Sequence, residues 1–166
     1  MKVSDIYKNG GRSLSFEIFP PKKDEELKNI DETLEVLCEL KPDYISVTFG
    51  AGGSCNCNKT IELARKIKEK YNVEPVVHLT CLCYNRDEID EFAKTLIDSG
   101  IENILALRGD VREGVPQKED FTYASDMVKY LREKYDFCIL GACYPERHPE
   151  SRNMVDEIKH LKTKVS

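Results

Sequence analysis

The strongest constraint on this chain is the near-constant spacing of its short apolar strands and amphipathic helices. Leu14-Ser-Phe-Glu-Ile-Phe19 alternates and then meets Pro20-Pro21. A strand stops there, because proline lacks an amide donor and fixes φ. Tyr44-Ile-Ser-Val-Thr48, Pro75-Val-Val-His-Leu-Thr-Cys81, Asn103-Ile-Leu-Ala-Leu107 and Phe137-Cys-Ile-Leu-Gly-Ala142 read as four more strands. Their centres fall near residues 16, 46, 78, 105 and 139, at steps of 30, 32, 27 and 34.

Helical periodicity fills the gaps. Leu27, Ile30, Leu34, Leu37 and Leu40 recur at three- and four-residue steps, with Asp24 placed to cap them. Thr60 to Lys70, Arg86 to Ser99, Tyr123 to Tyr135 and Asn153 to Val165 repeat the pattern, and Gly100 closes the helix that ends at Ser99. Strands alternating with amphipathic helices imply an α/β fold with a parallel sheet covered by helices. Periodicity alone leaves an open doubly wound sheet and a (β/α)8 barrel both available. A complete barrel takes about 250 residues, and this chain of 166 holds five βα units. No Pro- or Gly-rich linker divides it, so residues 1–166 are expected to form a single domain.

Composition narrows the partners. Lys and Arg total 25 against 30 Asp and Glu, a net charge of −5. A general nucleic-acid binder needs a basic face for phosphates, so none is expected here. No apolar run approaches the roughly 20 residues that span a bilayer, and Met1 to Arg12 has no signal-peptide core. Seven cysteines, an odd number, then read as reduced thiols in a cytoplasmic protein. Cys38 and Cys138 lie in apolar segments and are expected to be buried. Cys55/Cys57 and Cys81/Cys83 form two C-x-C pairs on neighbouring loops. Four thiolates there would suit zinc or an iron–sulfur cluster, although C-x-x-C is the usual spacing.

In parallel α/β folds, functional groups collect at the C-terminal ends of strands. Five successive strands here bring polar residues to that rim: Glu17, Thr48, His78, Arg108-Gly109-Asp110, then Tyr144 and His148. Glu17 has Phe16, Ile18 and Phe19 as neighbours. Burial among them would raise its pKa and suit a general acid, whereas pairing with a core cation would make it structural. His78 reads either as a satisfied core histidine or as a site residue. The Gly50-Ala-Gly-Gly53 loop offers backbone amides to phosphate, but it matches no established phosphate-binding motif and also reads as a plain turn.

Six ordered segments resemble the methylenetetrahydrofolate reductase family. They are Ser15-Phe-Glu-Ile-Phe-Pro-Pro21, Ser46-Val-Thr-Phe-Gly-Ala51, His78-Leu-Thr-Cys81, Ile104-Leu-Ala-Leu-Arg-Gly-Asp110, Tyr123-Ala-Ser-Asp126 and Tyr144-Pro-Glu-Arg-His-Pro-Glu150. The resemblance implies a (β/α)8 barrel of which this chain covers about five units, truncated on its C-terminal side. It implies FAD at the rim, NADH or NADPH as electron donor, and reduction of 5,10-methylenetetrahydrofolate to 5-methyltetrahydrofolate. Glu17 then corresponds to the general acid that opens the imidazolidine ring. Asp110 corresponds to the acidic residue between flavin and folate. Thr48, Phe49, Ala51, His78, Arg108, Gly109, Asp110, Tyr123, Ala124, Tyr144, His148 and Lys164 fall at cofactor-contacting positions. Arg108 and Lys164 would neutralise a pyrophosphate. Phe49 stands where many relatives carry Tyr. The partner expected by resemblance is the folate substrate; a homo-oligomer or a partner subunit is expected because strands one and five would be exposed edges.

The five units alone are expected to show little or no folate reduction. Two other readings stand beside this one: a non-catalytic half-barrel that binds a partner, and a reductase variant taking electrons from an iron–sulfur partner through cysteine-bound metal.

Overall fold

The computed structural model describes residues 1–8, 10, 12–21, 27–49, 57–111, 116–148 and 151–165. Asp24, the Gly50–Gly53 loop with Ala51, and Cys55 lie outside the described residues. A short helix α1 (Ser4–Tyr7) precedes five βα units: β1 (Ser15–Ile18) and α2 (Leu27–Glu39), β2 (Tyr44–Val47) and α3 (Cys57–Tyr71), β3 (Glu74–Thr80) and α4 (Arg86–Asp98), β4 (Asn103–Leu107) and α5 (Ala124–Lys134), β5 (Cys138–Gly141) and α6 (Met154–Val165). The predicted strands and helices are all present, with ends shifted by a few residues. Helix α1 carries no apolar repeat and was not foreseen.

The strands form one sheet in chain order, β1-β2-β3-β4-β5, every pair parallel. Register aligns Ile18 with Val47, Val47 with Val77, Val77 with Ile104, and Ile104 with Ile139. These residues face the helices. Ile18, Ile45, Val47, Val77, Leu79, Ile104 and Ala106 join Leu34 of α2, Ile61, Ala64 and Ile67 of α3, Ile89, Ala93 and Leu96 of α4, and Met127 and Leu131 of α5 in one buried cluster. Cys38 and Cys138 are half-buried rather than buried. Helix α6 exposes Met154, Val155 and Ile158.

The opposite sheet face carries the alternate residues. Ser15, Glu17, Tyr44, Ser46, Val76, Leu105 and Leu140, with Phe16 of the other parity beside them, line a concave space of about 350 Å³. The N-terminal segment ties down the end where the strands start. Asn103, fully buried at the head of β4, accepts a hydrogen bond from the Val3 amide (2.8 Å). It also donates through Nδ2 to the Met1 carbonyl (3.0 Å). The polar rim lies at the other end of the strands.

Replacing Asn103 by Leu leaves the Val3 amide and the Met1 carbonyl without these partners. Unpaired buried groups cost about 1–3 kcal/mol each. Asn103→Leu is therefore expected to lower the melting temperature and to speed amide exchange at Val3, measured by thermal denaturation and hydrogen exchange.

Candidate active site

Glu17 sits near the end of β1, opposite Ser46 in β2 and on the concave face. Its side chain is 50% exposed, so the burial expected from its apolar neighbours does not occur. The reason is the pleat: Phe16 and Ile18 turn to the helices while Glu17 turns to the open side. Its Oε2 lies 3.4 Å from Nε2 of His78, whose side chain is only 8% exposed. No core Lys or Arg pairs with Glu17 among the described residues; its ionic neighbour is this histidine.

His78 follows Val77 in β3, and Thr48 follows Val47 in β2, so the two residues stand side by side one position beyond the pair Val47–Val77. Both are buried. Thr48 Oγ1 and His78 Nε2 lack hydrogen-bond partners, a costly condition for buried polar atoms. Burial pushes the His78 imidazole below its ordinary pKa of 6.5, and the Glu17 charge opposes that shift. His78 is thus a buried histidine whose Nε2 has no hydrogen-bond partner among the described residues.

The Arg108-Gly109-Asp110 turn is held against the end of β3. The Arg108 carbonyl accepts from the amides of Cys81 (3.3 Å) and Leu82 (2.9 Å). Gly109 has φ of +84°, and a Cβ there would lie 3.1 Å from Cβ of Thr80. Glycine is required on both counts. Arg108 is half-buried, and Asp110 is exposed at the rim.

The remaining positions divide. Tyr144 and His148 stack edge-to-face at 4.8 Å in the segment after β5. Lys164 Nζ reaches back from α6 to donate to the Ala142 carbonyl at 3.2 Å, which brings this cation to the rim. Tyr123 and Ala124 begin α5, where Asp126 Oδ2 accepts from the amides of Thr122 (3.0 Å) and Tyr123 (2.8 Å). The Tyr123 ring is exposed. The Phe49 ring is committed elsewhere, to an edge-to-face cluster with Tyr84 and Phe92 at 5.8 Å each. Cys81 is buried, which pushes its thiol up to about 11. Among the described residues no group of three or more His, Cys, Asp or Glu side chains is placed to hold a metal ion.

Sequence reasoning missed Ser15, Tyr44 and Ser46 as lining residues. Their signal is the two-residue step shared with Glu17, which puts them on one face.

A family model described as "Methylenetetrahydrofolate reductase" matches residues 2–166. The chain belongs to the methylenetetrahydrofolate reductase family. It is 39% identical over 94% of its length to "5,10-methylenetetrahydrofolate reductase" of Salmonella typhimurium, of which it covers 52%. It is 37% identical over 90% of its length to "Methylenetetrahydrofolate reductase (NADH) 1" of Arabidopsis thaliana, covering 26% of that protein. The chain therefore spans about half the length of the bacterial relatives it matches, as their 52% coverage shows. A solved structure of 4-hydroxy-tetrahydrodipicolinate synthase from Methylacidiphilum fumariolicum aligns with a TM-score of 0.58 at 18% identity, over 93% of this chain and 51% of that one. That likeness concerns the fold alone. Together with the family's architecture it identifies the sheet as five βα units of a (β/α)8 barrel.

Two outcomes follow from the site geometry. Gly109→Ala strains the turn against Thr80, and such strain costs about 1–3 kcal/mol; it is expected to lower stability, read by denaturant unfolding. For His78 the native pKa is depressed, so below pH 6.5 the unfolded chain takes up its proton first and the folded state loses stability. His78→Gln is expected to narrow its stability deficit against the wild type as pH falls from neutral through 6.5, measured by urea unfolding at several pH values.

Proposed function

We propose that this chain forms the acid-bearing rim of a flavin-dependent methylenetetrahydrofolate reductase, which reduces 5,10-methylenetetrahydrofolate to 5-methyltetrahydrofolate. The observation that carries this reading is Glu17 facing His78 at 3.4 Å on the concave side, beside buried polar atoms with no partner.

The family depends on FAD. The residues present fit such a group. Thr48 Oγ1 and His78 Nε2 are buried, unpartnered and adjacent, which suits a flat ligand with donors and acceptors along its edge. Arg108 and Lys164 place two cations at the rim, suited to a pyrophosphate. Gly109 lets the backbone approach closely, and Tyr144 with His148 offers an aromatic surface. Thr48, Phe49, Ala51, His78, Arg108, Gly109, Asp110, Tyr123, Ala124, Tyr144, His148 and Lys164 are the proposed cofactor-contacting positions. Of these, Phe49 contributes through its position rather than its ring, which is occupied by Tyr84 and Phe92. Bound there, FAD supplies hydride transfer from NADH or NADPH to the folate.

Glu17 projects into the open face and can touch a ligand lying over the strand ends. It gives its proton to the amine nitrogen of the five-membered ring, and that C–N bond opens. Asp110, exposed after Gly109, sets a negative charge at the rim where it disfavours further negative charge on a neighbouring ring.

The test uses purified, flavin-loaded protein in which a whole barrel completes these five units, because the five units alone are expected to show little or no folate reduction. Glu17→Gln is expected to keep its flavin spectrum and its reduction by NADH or NADPH. Folate reduction is expected to fall by about 10²–10⁴, the usual worth of a positioned acid. A variant that still reduces folate within tenfold of the wild type shows that the acid lies elsewhere.

A further inference from the structure

Helix α3 buries one stripe against the sheet. Thr60, Ala64 and Ile67 stand on it at steps of four and three, and all three are fully buried. Packing on such a stripe asks only for the volume of a valine. The Thr60 hydroxyl is an addition to that need, and a buried hydroxyl is costly without a partner. Its partner belongs to the rim: Thr60 Oγ1 donates to the Thr48 carbonyl at 3.2 Å, and both groups are buried. A carbonyl oxygen only accepts, so the direction of this bond depends on no tautomer and no charge. Its length is beyond the usual for a hydroxyl donor, which sets the modest size of the effect expected below.

The Thr48 amide is held as well, donating to the Ile18 carbonyl at 3.0 Å. The amide belongs to the peptide group before the Thr48 Cα, and the carbonyl to the peptide group after it. Each group is planar, so bonding both constrains the two backbone torsions of the residue and the direction of its Cα–Cβ bond. Threonine is branched at Cβ, so χ1 is stiff too. β1 on one side and α3 on the other thus set where Thr48 Oγ1 lies. That atom is the polar group of Thr48 left over: it is buried and has no partner among the described residues. Helix α3 is a firm anchor for this, because Ile61, Leu63, Ala64 and Ile67 tie it to the core beside Thr60.

We propose that Thr60 is a positioning residue for the cofactor site: its hydroxyl holds the end of β2 so that Thr48 Oγ1 is presented to a polar atom on the edge of the flavin ring. This rests on reading Thr48 as a cofactor contact and adds what keeps that contact in place. Thr60 is itself fully buried and acts through Thr48.

The test titrates FAD into apoprotein in which a whole barrel completes these five units, followed by quenching of flavin fluorescence and by the absorbance of the bound flavin. Thr60→Val keeps the shape of the side chain and removes the donor. It is expected to weaken FAD binding by roughly threefold to tenfold, the scale of one hydrogen bond. It is also expected to move the bound-flavin absorbance in the same direction as Thr48→Val does. Thr60→Ser keeps the donor and stays within about twofold of the wild type. Should Thr60→Val fold poorly, Thr60→Ser against Thr60→Ala isolates the hydroxyl in the same way. Action through Thr48 further requires that the two effects not add: on a Thr48→Val background, Thr60→Val changes FAD affinity by less than about twofold.

Three results overturn the positioning role: a Thr60→Val affinity within about twofold of the wild type, full addition of the two effects in the double variant, or a Thr60→Ser loss equal to that of Thr60→Val. If Thr48→Val binds FAD like the wild type, Thr48 does not touch the cofactor, and the positioning role falls with that contact while the rest of the flavin reading stands. If the wild-type barrel binds no FAD, the flavin reading itself fails and the positioning role with it.

Discussion

Ile18, Ile45, Val47, Val77, Leu79, Ile104 and Ala106 bury one face of the parallel sheet against α2 to α5, and the rest of the molecule depends on that contact. Strand side chains alternate, so a slip of one residue would turn this whole set outward. The apolar contact therefore fixes register without touching the site. Once register is fixed, the alternate residues have no choice of side. Glu17, Ser46, Val76, Leu105 and Leu140 line the concave face because Ile18, Val47, Val77, Ile104 and Ile139 are needed on the other.

The two ends of the sheet are built differently. At the strand starts, Asn103 is saturated by the N-terminal segment, accepting from Val3 and donating to Met1. At the strand ends, Thr48 Oγ1 and His78 Nε2 are buried without partners. Buried polar atoms are nearly always paired, so unpaired ones at one end support the ligand site proposed there. The Gly109 turn, pinned to Cys81 and Leu82, holds Arg108 and Asp110 beside them. A closed base and a receptive rim together give the fold its polarity.

Much of the fold was legible in the sequence. The helix periodicity of Leu27 to Leu40 and the alternation of Leu14 to Phe19 are local signals, and each maps to its element. So was the rim, because functional groups collect where strands end. What failed was the environment of Glu17. Its sequence neighbours are apolar, yet they face away from it, and half of its side chain is exposed. Phe49 shows the converse: its place in a motif suggests the rim, while its ring packs with Tyr84 and Phe92, which come from later in the chain. Contacts of that kind depend on which helix packs where, and no local pattern encodes them.

The sequence by itself determined the unit that repeats, the order of strands and helices, and the residue types that reach the rim. Six ordered segments also determined the family. The tertiary structure decided which of those residues meet. Glu17 and His78 are 61 positions apart and sit on strands that are not adjacent, yet their side chains approach to 3.4 Å across β2. That distance depends on sheet spacing and register acting together. Neither is a property of one residue alone.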